Sequence, residues 1–174
     1  MDNALHQVFE HTIQDIYNSE VQLTAALPKM LDTARNQDLR EAISEHLNQT
    51  QEHVQRIRQV CQMLGMETGN VTCQATAGLI REAQEQMDEF GSGPAGDAAI
   101  IACAQKVEHY EICNYGTVIE WAETMGHKNV LDLLKETLEE ESEANERLTK
   151  IARKKVNEAA MEAVPVGTSG ARLI

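Results

Sequence analysis

Aromatic side chains are scarce in this chain of 174 residues, with Phe, Tyr and Trp together making up 3%. Sheets draw on aromatic and β-branched residues, whereas the abundant Ala, Leu, Glu and Gln favour helix. An all-α fold follows. Basic residues are also few, 15 Lys and Arg against 28 Asp and Glu, for a formal net charge of -13. Nucleic-acid affinity rests on clustered Lys and Arg, so no nucleic-acid partner is expected. An anionic membrane surface is disfavoured on the same ground. No apolar run approaches the ~20 residues of a spanning helix, and "MDNALHQVFEH" lacks the basic-then-apolar order of a signal peptide. The expected compartment is the cytoplasm. Cys61, Cys73, Cys103 and Cys113 form no CxxC pair and no zinc-ligand spacing. They read as small buried or half-buried residues of a reducing compartment.

What the chain does have is helical period. With 42% hydrophobic residues it can build one core. Four long amphipathic segments run from about Asn3 to Arg35, Asp38 to Leu64, Asp97 to Met125 and Asn129 to Val156. Asp38 and Asp97 read as N-caps, and Gly65 and Gly126 as stops. Links as short as "RNQD" and "GHKN" make each pair an antiparallel hairpin. Residues 65–96 between the hairpins are rich in Gly and Thr at their ends and hold a short amphipathic helix around Gly78 to Phe90. A long crossover of this kind, joining two helical hairpins, is the connection of a ferritin-like four-helix bundle. The bundle is expected over residues 1–156, with a loosely ordered tail over 157–174.

The apolar seams carry acids and imidazoles. In the third segment the seam Ile101, Ala104, Glu108, Glu111, Tyr115, Val118 contains two glutamates. A buried ionised carboxylate is costly unless it shifts its pKa, finds a partner or binds a metal. The first seam includes Glu20, and the second includes His46, Thr50 and His53. The fourth segment has two acceptable registers, Val130, Leu133, Thr137, Glu140 and Leu131, Leu134, Leu138, Glu141. Either buries a glutamate. Helices rise ~1.5 Å per residue, so reflection through the hairpin turns sets Glu20 level with His53, and Glu111 level with Glu140 and Glu143. Several carboxylates with imidazoles in a bundle core are the ligand set of a non-haem di-iron or di-manganese site. The expected metal-binding residues are Glu20, His46, His53, Glu108, Glu111, Glu140 and Glu143. The expected cofactors are two divalent ions, iron or manganese.

The segments "HTIQDIYNSEVQLTAALPKM", "EHLNQTQEHVQRI", "KVEHYEICNYGT" and "LLKETLEEES" resemble those of the bacterial YciE/YciF family of stress-associated ferritin-like proteins. That resemblance implies a rubrerythrin-like bundle. It matches Glu20 to the single glutamate of the first helix and Glu108 and Glu111 to the Glu-x-x-Glu of the third. Glu140 and Glu143 fit the Glu-x-x-Glu of the fourth. The second helix departs from the pattern: ferritin-like enzymes carry Glu-x-x-His, and this chain has Thr50-x-x-His53, with Gln49 where YciF-like sequences tend to have Glu. If redox-active, such a centre would act on O2 or H2O2, as a ferroxidase, peroxidase or catalase does. The alternative is a non-enzymatic stress protein that keeps a degenerate site and acts through a protein partner. A homodimer fits either reading, since many helix bundles pair through an apolar face.

Overall fold

A computed structural model describes residues 3–164. Helix α1 spans Ala4–Thr33, capped by Asn3, whose side chain accepts the His6 N–H, and it runs on through Pro28. Helix α2 spans Gln37–Leu64 and ends at Gly65, where φ is 68°. Its cap is Asn36, which accepts the Leu39 N–H at 3.1 Å, and not Asp38, which lies in the first turn. The crossover carries α3, Gln74–Phe90, which starts four residues before the expected Gly78 because Cys73 caps it. Helix α4 spans Pro94–Met125. A 3-10 turn, Lys128–Val130, leads into α5, Leu131–Ile151, which continues through a π-helical segment, Ala152–Val156, into α6, Asn157–Glu162. The tail expected over 157–174 is therefore helical as far as Glu162, and residues 165–174 lie outside the described part.

Asp97 does not cap α4. Pro94, with its fixed φ and no N–H to satisfy, starts that helix three residues earlier. The Asp97 side chain turns to the α1–α2 link, where it accepts the Arg35 N–H at 2.7 Å and the Asn36 N–H at 2.9 Å. This ties the start of α4 to the far end of the first hairpin. Gly96 is required for the same close packing, because a Cβ there would fall 1.9 Å from the Gly91 carbonyl oxygen.

The four long helices form a square in which α1 neighbours α2 and α4, and α5 neighbours α2 and α4. Arg35 meets Asp97 at one end of the α1–α4 pair and Glu20 meets Tyr115 farther along, so these helices are antiparallel. By the same reasoning α2 and α5 are antiparallel, since Glu45 pairs with Arg147 and Arg56 with Glu136. Helices α2 and α4 then point the same way. The crossover is what permits this, with α3 packed against α4 and α1.

The core is in two parts. At one end Phe9, Ile13, Ile57, Val60, Tyr115, Val118 and Leu134 cluster, and at the other Leu27, Leu39, Ile43, Ile100, Ile101, Leu148 and Ile151. Each such side chain contributes about 1.5–3 kcal/mol when fully buried. The stability of the bundle therefore rests on these two clusters. Between them lies a buried band of Glu20, His46, Thr50, His53, Glu108, Glu111 and Glu141. Among the described residues no helix is long and apolar enough to cross a membrane.

Candidate metal centre

Each long helix delivers one or two donors to this band. α1 supplies Glu20, α2 His46 and His53, α4 Glu108 and Glu111, and α5 Glu141. Donor atoms of His46, Glu108, Glu111 and Glu141 lie within 4.8 Å of one another, and so do those of Glu20, His53 and Glu141. Glu141 belongs to both groups. Its Oε1 is 2.9 Å from His53 Nδ1, and its Oε2 is 3.7 Å from His46 Nε2. His46 Nε2 is also 3.5 Å from Glu108 Oε1, and His53 Nδ1 is 3.5 Å from Glu20 Oε2. The imidazole centroids, two turns apart on α2, converge to 6.3 Å.

Seven atoms in the band are buried without a hydrogen-bond partner: Glu20 Oε2, His46 Nδ1, His53 Nδ1, Glu108 Oε2, Glu111 Oε2 and both oxygens of Glu141. The 2.9 Å contact of His53 Nδ1 with Glu141 is off the hydrogen-bonding direction, so it acts through charge. Buried polar atoms are nearly always satisfied, and such a set converging on one interior calls for a ligand. Four carboxylates carry -4, which two divalent cations would neutralise. The residues present therefore fit two such ions.

The outer contacts fix the donors in place. Tyr115 donates to Glu20 Oε1 at 2.6 Å, which leaves Oε2 facing His53. Ser19 Oγ lies 3.5 Å from Glu111 Oε1 and 2.7 Å from Thr76 Oγ1, so the crossover helix supports α4 through α1. His53 Nε2 donates to Glu140 Oε2 at 2.8 Å, which turns Nδ1 inward. Arg56 holds Glu140 from the other side.

Burial and mutual charge set the acidities of the metal-free band. Burial raises Glu108 and Glu111 well above the carboxylate range, and the charges of Glu141 and Glu20 push them further. Burial also raises Glu20, against the pull of His53. For His53 burial acts downward, but the carboxylates of Glu141 and Glu20 beside Nδ1 outweigh it and raise the group to about 10. Glu141 is pushed up by burial and held below its usual range by His46 and His53. Metal-free, the band reads as a Glu141–His53 ion pair beside Glu108 and Glu111, whose neutral forms burial favours.

Two of the expected ligands lie outside both donor groups. Glu143 is exposed and belongs to neither group, because it lies two residues, some 200°, round the helix from Glu141. Glu140 is partly exposed and also outside both groups. Burial pushes its carboxyl up, but Arg56 and His53 bring it below the usual range, and it serves as the partner that orients His53. The α5 carboxylate common to both donor groups is Glu141. The signal for it is the seven-residue step Leu134, Glu141, Leu148, since all three are buried. Thr50 is buried and donates to the His46 carbonyl at 2.8 Å, so no carboxylate stands there and α2 contributes two imidazoles instead.

The family model described as "Domain of unknown function (DUF892)" matches residues 4–161. The chain belongs to the DUF892 family. Within it, Protein YciF of Escherichia coli is 41% identical over 158 residues, covering 90% of this chain and 95% of that protein. The crystal structure of the E. coli stress protein YciF superposes with a TM-score of 0.86 at 40% identity, covering 90% of this chain and 99% of that one. YcfI of Rhodopseudomonas palustris, described as a candidate structural protein, gives 0.83 at 43% identity, covering 86% and 96%. The resemblance to YciF-type proteins and the all-helical bundle both stand on these matches. If the band of this DUF892 chain holds metal through His53, Glu140→Ala should weaken metal affinity about 10- to 100-fold, as loss of a ligand's hydrogen-bond partner typically does. Glu140→Gln, which keeps an acceptor for His53 Nε2–H, should recover part of it in a competitive chelator titration.

Proposed function

We propose that this protein holds two divalent ions, iron or manganese, in the central band and uses them on O2 or H2O2 as part of a stress response. One observation carries the reading. The two oxygens of Glu141, both buried and without hydrogen-bond partners, face different donor groups, one beside His53 and the other beside His46. A carboxylate so placed suits a bridge. Glu20 and His53 would hold one ion, and His46, Glu108 and Glu111 the other. Oxygen and imidazole donors without thiolate suit iron and manganese. Bound there, a pair of redox-active ions would supply electrons to a small oxidant. The chain's own part is to fix Glu20 through Tyr115, to orient His53 through Glu140 and Arg56, and to exclude bulk water with the two apolar clusters. The stress description of the E. coli relative agrees with such a role.

Thr50 favours a second reading, a non-enzymatic stress protein acting through a partner, because the Glu20–His53–Glu141 group has only three donors. Oxygen-electrode and peroxide assays on Fe(II)-loaded protein decide between them. Consumption above that of free Fe(II), lost in Glu141→Gln, supports the enzymatic reading. Bound iron without consumption supports the other.

A further inference from the structure

A slot of about 100 Å³ opens between α2 and α5 and reaches the band. His46 and Glu108 line its inner wall, and each keeps a buried atom without a hydrogen-bond partner, His46 Nδ1 and Glu108 Oε2. His46 is only 7% exposed. Ala42, Ala104 and Ala144 are among its lining residues, and none of the three extends beyond Cβ. The rim carries Glu45, Glu143 and Arg147, and the last is ion-paired with Glu45. On the α1 side α3 covers the band through Thr76 and Ser19, and Glu140, held by Arg56 beside His53, forms part of the slot's own wall.

We propose that this slot is the port by which divalent cations reach the centre, with Glu143 as the capture carboxylate and the Glu45–Arg147 pair as a removable cover. The proposal rests on the dinuclear reading above. An acidic rim over low-dielectric walls concentrates cations, and a net charge of -13 adds long-range attraction. Glu143 is exposed and outside both donor groups. It can therefore act on the rate of passage without holding the ion at rest. When Arg147 swings from Glu45, a second carboxylate becomes free at the rim.

Stopped-flow absorbance of Co(II) binding to the full-length protein at about 0.15 M salt tests this. Glu143→Lys should slow association and dissociation alike, each about tenfold, with Kd within about threefold of wild type. Arg147→Ala should speed both. Glu139→Lys makes the same change of charge at an exposed position of α5 outside the slot, and should leave the rates near wild type. Equal slowing by both lysine variants would assign the effect to total charge and overturn the port. Unchanged rates in Glu143→Lys would overturn it while leaving the dinuclear centre standing. A Kd weakened through dissociation alone would make Glu143 a ligand, which also overturns it. If wild type takes up no Co(II), the dinuclear reading fails and the port falls with it.

Discussion

Glu141→Gln is expected to abolish binding of both ions and to destabilise the metal-free bundle by about 3–5 kcal/mol, the usual result of removing one partner from a buried ion pair. Both effects follow from its position. Glu141 is the one residue common to the two donor groups, and it faces His53 Nδ1 at 2.9 Å in the metal-free band. Glu111→Gln should behave differently. Glu111 belongs to one group, and burial with the charges of Glu20, Glu141 and Glu108 raises its pKa and so favours its neutral form when no metal is bound. A neutral isostere there should weaken one ion and leave the metal-free protein as stable as wild type or more so. Thermal melts of the two metal-free variants, with equilibrium dialysis against Mn(II), measure the contrast. Equal destabilisation of both would remove the distinction between a bridging and a terminal carboxylate.

The second large effect is on pH dependence. Glu108 and Glu111 have folded-state pKa values raised above 4.5, so their contribution is complete below about pH 4.5 and is lost as pH rises through the folded values. His53, raised from 6.5 to about 10, contributes fully below 6.5 and loses that contribution as pH rises to about 10. Glu141, lowered, works in reverse and loses its contribution as pH falls below 4.5. Metal-free protein should therefore be most stable under mildly acid conditions and weaken steadily toward pH 9. Each unit of raised pKa corresponds to about 1.4 kcal/mol, or about 3–5 °C in Tm for a chain of this size. With metal bound the carboxylates stay ionised and the slope should largely disappear. A metal-free melting curve flat between pH 6 and 9 would contradict the rise of His53 to about 10.

The periodic, unambiguous segments of the sequence foretold the fold well. The acids on the α4 seam, Glu108 and Glu111, stand out because every neighbour in the 3–4 spacing is apolar. The crossover was legible from the two tight links and the long one between them. Its helix begins at Gln74 because a cysteine caps it, and Cys is a poor predictor of caps. Asp97 reads as a cap from its residue type, and only the long-range approach of the α1–α2 link shows what its carboxylate serves. On α5 the run Glu139, Glu140, Glu141 places an acid on each face, so residue type cannot choose among them. Packing can: Leu134 and Leu148 fix the phase, and Glu141 falls between them. The second turn of side chains around the site, Tyr115 on Glu20 and Arg56 on Glu140, has no sequence signal because both contacts join different helices.

The central claim is that one buried carboxylate serves two ions. Anomalous scattering from crystals loaded with Mn(II) or Fe(II), collected on either side of the metal edge, tests it most directly. The account predicts two peaks flanking Glu141, one ligated by His46, Glu108 and Glu111 and the other by Glu20 and His53. A single peak that leaves Glu141 unligated, or no peak in the band after loading, would contradict it.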